Sequence, residues 1–488
     1  MRSRYPSNFA PRYFYLVACC IVMLIVHAIG QAQRAASSTE SSSAGAVAAS
    51  QVPTPPPIWV CVTDPCYPTI PLPNPVPSVS PLPKEICLPG EPIDSCTTDP
   101  VTGRCITIQK PCVTPSPPPT TPGQTVGSLI ISEFRFRGPG GTSDEFVELF
   151  NPSSSPITVN TADGSAGWAL VASDGVVRFT VPVNTVIPGY GHYLAVNSVG
   201  YSLGGYPAGA TTTATGDTVY ILDIPDRSGI ALFNTSEPTG FTLANRMDAV
   251  GYNLAPALYR EGAGFPTGNA ETFLNIEYSF YRELITGFPQ DTNDNTADFR
   301  GVDTTAANTG AGQRLGAPGP ENLSSPVAVG QDKIQTSLLD PTIPREDPPN
   351  RVRDYTSDPE NNSTYGTLSI RRRFTNVSSA NITRLRFRII DITNYPTPDG
   401  TSDIRAINSG DTKIDPNAEV TTENDVVHGT RVEVPPMQIN GGGWNSTMTS
   451  DMITPSTPLL PGQSINLQFL VGIQKTGYFR FFIVIEAK

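Results

Sequence analysis

After the first thirty residues only two histidines remain, His192 and His428, and they lie far apart in the chain. That scarcity removes most histidine-dependent catalysis, because the commonest general acid-base group is nearly absent. Gly200-Tyr201-Ser202-Leu203-Gly204 matches the G-x-S-x-G pattern of a nucleophile elbow. Such an elbow needs a strand before it, a helix after it and a histidine further on in the same sheet. Here the flanks are rich in Gly, Pro and Thr, so a loop is expected and catalysis is not. Glu133, Glu145 and Glu148 fall on neighbouring predicted strands. Paired carboxylates can serve glycoside hydrolysis. Strand alternation instead predicts a partly exposed face, with Glu145 and Glu148 on opposite sides.

Asp291, Asn293, Asn295 and Asp298 set oxygen donors near alternate positions, as a calcium loop does. Thr296 stands where the helix-loop-helix calcium motif needs glycine, and Val302 where it needs glutamate. An Asx-rich turn closing a strand is the simpler expectation. Calcium is the only cofactor these residues suggest, and no catalytic, cofactor-binding or metal residue is assigned. The densest basic cluster is Arg371, Arg372, Arg373, Arg384, Arg386 and Arg388. If the two strands pair as a hairpin, Arg384, Arg386 and Arg388 line one face with Arg371 and Arg373 nearby. An outer face of an antiparallel sheet is ordinarily solvated; a basic one could also bind an acidic polysaccharide. Asn234, Asn362, Asn376, Asn381 and Asn445 begin N-x-S/T sequons, which matter only in a host that glycosylates them.

Cys61, Cys66, Cys87, Cys96, Cys105 and Cys112 are all the cysteines beyond residue 20. Their even number fits three disulfides in an oxidising compartment, with fifteen pairings left open. Zinc is the rival, but no C-x-x-C pair or nearby histidine supports it. These cysteines sit within residues 53–122, which hold 21 prolines and read as an extended, semi-rigid stalk.

The compartment follows from the N-terminus. Arg2, Arg4 and Arg12 precede an apolar run over 13–30, and Ala28-Ile29-Gly30 offers small residues for cleavage. Basic, apolar, small is the secretory signal pattern; the alternative is an uncleaved anchor. Leu16-Val17-Ala18-Cys19 spells a lipoprotein box, but the apolar run continues past it. The 488 residues carry a net charge of −12, which argues against nucleic acid as a partner.

From about residue 126 short β-rich runs alternate with turns. Val177, Phe179 and Val181 alternate with Arg178 and Thr180, and His192, Leu194 and Val196 follow in the same style. Further on, Leu385, Phe387 and Ile389 alternate with the arginines, as Ile465, Leu467, Phe469 and Val471 do with Asn466 and Gln468. Residues 478–485 read as a central strand. The expected organisation is a signal or anchor at 1–32, a disordered leader and Pro/Cys-rich stalk at 33–124, a β-sandwich at 125–320, a linker at 321–360 and a second β-sandwich at 361–488. The fold class is all-β and immunoglobulin-like.

The middle region resembles the lamin-tail domain of exported bacterial proteins, over roughly two fifths of the chain. Leu129-Ile130-Ile131-Ser132-Glu133-Phe134 and Asp144-Glu145-Phe146-Val147-Glu148-Leu149-Phe150-Asn151 look like that family's first two strands. Gly167-Trp168-Ala169-Leu170 is similar to the next, where a tryptophan packs the core. Ile187-Pro188-Gly189-Tyr190-Gly191, Asp248-Ala249-Val250-Gly251-Tyr252, Asp294-Asn295-Thr296-Ala297-Asp298-Phe299 and Gly316-Ala317-Pro318-Gly319 follow in the family's order. The resemblance implies a binding or attachment module without catalysis. The expected role is therefore a non-enzymatic, secreted or surface-held structural, adhesive or binding protein. Its partner would be an extracytoplasmic protein or polysaccharide, and the N-terminal segment its only membrane contact. Calcium or polysaccharide binding, and an accessory role in extracellular nucleic-acid processing, are the alternatives.

Overall fold

The computed structural model describes residues 129–203, 215–265, 276–284, 287–305, 313–394, 402–417, 419–420, 422–433, 438–477 and 479–488. It also gives backbone strands at Trp59–Asp64, Ser95–Thr98 and Cys105–Ile108. The expected signal or anchor segment, Cys66, Cys87 and Cys112 lie outside the described residues. Cys61 lies on the first of these strands, and Cys96 and Cys105 on the other two, which pair antiparallel.

The described chain is built almost wholly of β-strands, with a single four-residue α-helix, Asn295–Asp298, and a few 3₁₀ turns. Among the described residues no helix is long and apolar enough to cross a membrane. The middle region forms two main sheets. One runs, strand by strand, Thr218–Tyr220, His192–Asn197, Phe146–Phe150, Ile130–Arg135, Tyr278–Arg282, Phe299–Asp303 and Arg314–Leu315. The other runs Arg246–Gly251, Gly229–Phe233, Gly167–Ala172 and Val177–Pro182. Side chains of both meet in one core, with Phe134, Leu149 and Phe280 from the first and Trp168, Leu170 and Leu232 from the second. Trp168 is buried there and satisfies its indole N–H on the Asn160 carbonyl at 2.6 Å.

Two further sheets form the C-terminal region. In one, Phe479–Ala487 lies between Trp59–Asp64 and Leu385–Ile392, as a central strand should. In the other, Ser464–Lys475 pairs with Thr367–Asn376 over nine registered positions. Phe387, Ile389 and Phe481 from the first meet Phe374, Leu467 and Phe469 from the second in a shared core. Tyr281, Leu284 and Val302 of the middle region join that same core.

Two expectations fail here. The strands carrying Arg371–Arg373 and Arg384–Arg388 do not form a hairpin; they belong to different sheets. Nor is 321–360 a linker in this structure. It contributes Val327–Ala328, Ile334–Leu338 and Arg351–Asp354 to the C-terminal sheets. Its Pro and Gly content reads as spacer, but those residues fall in the turns around the three strands, none of which contains either.

Just before it, residues 315–322 are buried throughout. Gly316 forms a parallel bridge with Trp444, whose backbone N–H donates to the Leu315 carbonyl at 2.8 Å. A Cβ on Gly316 would collide with the Trp444 carbonyl oxygen and with Val302. Gly316→Ala is therefore expected to cost at least about 1–3 kcal/mol, the usual range for overpacking. Urea denaturation checks this, and an unchanged midpoint would show that the backbones do not approach so closely.

Candidate functional site

A concentration of ionisable groups lies where the middle and C-terminal regions meet. Alternation along Leu385–Ile392 sends Leu385, Phe387 and Ile389 to the core and Arg384, Arg386 and Arg388 to the opposite face, as the sequence indicates. That face is not in solvent: all three arginines are at most 5% exposed. A buried guanidinium requires carboxylates, and three segments supply them. Arg384 pairs with Glu433, while Arg386 and Arg388 both pair with Glu321 and with Glu486. Glu486 stands opposite Arg386 in the strand register. Burial alone would raise the Glu486 carboxyl, but Arg386 and Arg388 outweigh it and hold it below its usual range. The Arg388 guanidinium also lies 5.6 Å from the Tyr281 ring centroid, and its Nη1 donates to the Asn445 amide oxygen. The expected solvated or ligand-binding basic face is thus an internal ion lattice. Nearby, Arg371 and Arg372 are buried as well, donating to the Ser369 hydroxyl and to backbone carbonyls, and half-buried Arg373 donates to Asn466 at 2.9 Å.

Glu321 links this lattice to the middle region. Its backbone N–H donates to Glu148 at 2.6 Å, and its carboxylate also faces His192 Nε2 at 3.0 Å. His192 Nδ1 faces Glu148 at 3.0 Å, so the imidazole stands between two carboxylates from different segments. Glu148 accepts from the Ser132 hydroxyl and sits directly across the strand from Glu133. Glu133 accepts from Ser279 at 2.5 Å and from the Gly319 N–H at 3.0 Å. Like charges directly opposite in a sheet repel. Complete burial, reinforced by Glu148, pushes the Glu133 carboxyl up to about 8. Glu145 is buried too, on other partners, Asn197 and the Ile224 N–H, and burial raises it to about 8. The partly exposed glutamate face expected from the sequence is therefore an interior one.

A second cluster surrounds Arg282, which is fully buried on the Tyr278–Arg282 strand. Its Nη2 donates to both oxygens of Asp248, at 2.9 and 2.8 Å. Its Nη1 reaches Asp291 and Asp298, each at 3.3 Å. Burial disfavours the charged guanidinium, but Asp248, Asp291, Glu261 and Asp298 together hold it above its usual value. The acidic run from Asp291 to Asp298, expected as an Asx-rich turn with calcium as its alternative, folds around this arginine. Asp298 accepts from Thr292 and Gln290, and Asn295 spends its side chain on the backbone of Gly251, Glu261 and Ala249. Asp294 caps the short helix through the Thr296 N–H. Within the cluster, one carboxylate oxygen each of Asp248, Glu261 and Asp291 lies within 4.8 Å of the others. Burial raises Asp248 to about 6 and Glu261 to about 10.

The remaining sequence candidates are placed as follows. Ser202 donates to both oxygens of Asp144 at 2.8 Å, and Asp144 is bound to the buried Arg135. His428 contacts Asp411 at 2.9 Å and Glu423 at 2.5 Å, so neither histidine ring is engaged with Ser202. Of the sequon asparagines, Asn376 and Asn445 are fully buried. Sequence reasoning missed Arg282, Glu261, Glu321, Glu433 and Glu486. The one local signal was Glu486 itself, a lone charge in the otherwise apolar run 481–487. Compared with models of known protein families, with curated proteins and with solved structures, the chain matches none.

Glu133 and Glu145 keep their protons in the folded chain up to about 8, whereas the reference value is 4.5. Between those values the folded state binds more protons than the unfolded one. The stability they contribute is complete below the lower value and is lost as pH rises through the upper one. The expected slope is up to roughly 1.4 kcal/mol per pH unit for each carboxyl. Urea denaturation across this window should show the decline, and Glu133→Gln should remove one share of it. An unaltered slope in that variant would show that Glu133 is ionised in the native state.

Proposed function

We propose that this chain is a non-enzymatic, extracytoplasmic structural, adhesive or binding protein. It would present two β-sandwich modules, the first lamin-tail-like, at or outside the cell surface. The observation that carries the reading is where the polar side chains go. The serine of the G-x-S-x-G run is held on Asp144, and His192 stands between Glu148 and Glu321. The arginine row is paired inside the molecule. Groups committed to internal pairs brace a scaffold and are not free to act on a substrate. Export is supported by the basic-apolar-small N-terminus and by six cysteines confined to a proline-rich stretch. Such a stretch has little core of its own, and disulfides would brace it.

The buried arginines give no support to acidic polysaccharide as the ligand of that face. Presentation then rests on the strand edges and loops. One edge strand, Thr218–Tyr220, and its flank expose Val219, Ile221 and Leu222.

Fractionation of the native host with mass spectrometry of the N-terminus tests the proposal. A mature start near Gln31 or Gln33, outside the cytoplasmic membrane, is the expected outcome for a released protein. An intact 13–30 segment in the envelope fraction is expected for a held one. Either way, alkylation without reductant should leave the six stalk cysteines unlabelled. Full-length protein in the cytosol with reactive thiols would overturn the reading.

A further inference from the structure

Glu261 is 4% exposed, and its Oε2 is buried with no hydrogen-bond partner. Its Oε1 has only a distant contact, 3.5 Å from Arg246. Leaving a buried carboxylate oxygen unpartnered is costly, yet the backbone holds the residue firmly. Its N–H donates to Asn295 Oδ1 at 2.9 Å, and its carbonyl accepts from Gly264 at 3.2 Å. Gly262 and Gly264, both at positive φ, turn the chain around it; a Cβ on Gly262 would meet Asp294. Asp291 approaches from a different loop, its Oδ1 fixed by the Asn293 N–H at 3.2 Å. Asp248 approaches from the Arg246–Gly251 strand. Three carboxylates from three elements therefore converge within 4.8 Å.

Charge is not balanced there. Asp248, Glu261, Asp291 and Asp298 face one fully buried cation, Arg282, with Arg246 only at the edge. We propose that Asp248, Glu261 and Asp291 form a binding site for a single hard divalent cation, with calcium the fitting ion.

The donor set is all carboxylate oxygen, without nitrogen or sulfur, which selects calcium, magnesium or manganese over zinc or copper. Calcium tolerates irregular geometry, whereas magnesium demands a near-octahedral shell. Asp248 already accepts from Ile131, Ala249 and Arg282. The ion therefore draws mainly on Glu261 and Asp291, with Asp248 at the third corner. Because Arg282 shares these carboxylates, the affinity belongs in the weak range of extracellular modules, about 10⁻⁴–10⁻³ M. This inference depends on the export proposal only for a supply of the ion, and it is tested on purified protein, so the two fail separately.

The experiment is thermal unfolding and calorimetric titration of the metal-stripped full chain with calcium chloride, with magnesium chloride as comparison. Calcium should raise the melting temperature, and magnesium should do so less. Glu261→Gln and Asp291→Asn should each weaken the calcium response about tenfold or more. Asp291→Asn covers the case in which the Glu261 variant fails to fold, because Asp291 lies nearer the surface. Three results would overturn the proposal. One is no calcium-dependent shift in the wild-type chain. Another is an undiminished shift in both variants. The third is a Glu261→Gln chain that is stabilised without the ion while the wild type ignores calcium, which would mean that a proton alone fills the site.

Discussion

The carboxylate of Glu321 is the contact on which the packing of this molecule turns. It meets Arg386 and Arg388 on one side and His192 on the other, while its own N–H binds Glu148. The two arginines share the Leu385–Ile392 strand of the C-terminal region, while His192 and Glu148 stand on two different strands of the middle region. A guanidinium removed from water loses several kcal/mol of hydration unless carboxylates surround it. Arg386 and Arg388 can therefore be buried only when the strap at 315–322 lies in place. The strap in turn lies in place only when Glu133 and Glu148 receive its N–H groups.

The same constraint explains why protons reside where they do. The interface gathers Glu133, Glu148, Glu321, Glu433 and Glu486 around Arg384, Arg386 and Arg388. Three guanidiniums leave two of five carboxylates unneutralised at low dielectric, which favours protonation within the cluster. Glu133, opposite Glu148 and fully buried, is pushed up there to about 8. Around Arg282 the surplus falls on Glu261. Both clusters follow one rule: a buried cation is placed by the strand pattern, and its anions arrive from neighbouring strands and from loops distant in sequence. An exact local match of charges is then not guaranteed, and protons or ions take up the difference.

Much of the β architecture was legible. Alternation located Leu385–Ile392, Ser464–Lys475 and His192–Asn197, because a period of two is a local property. What failed was the assignment of the second face to water. Alternation says that Arg384, Arg386 and Arg388 share a face opposite Phe387; it does not say what covers that face. The cover is a Gly-Ala-Pro-Gly-Pro-Glu stretch whose composition reads as spacer. The acidic run from Asp291 to Asp298 was visible as a cluster, but its centre, Arg282, and its partners Asp248 and Glu261 are brought in by tertiary pairing that no spacing rule contains.

A double-mutant cycle between Glu321 and Arg388, read by equilibrium denaturation, tests the central role of the strap most directly. Glu321→Gln and Arg388→Met should each cost about 3–5 kcal/mol, because each leaves buried charge uncompensated. The double variant should recover much of that loss, giving a coupling of several kcal/mol between residues far apart in sequence. Small, additive losses would contradict it, and would mean that the two regions are held together by their apolar contacts alone.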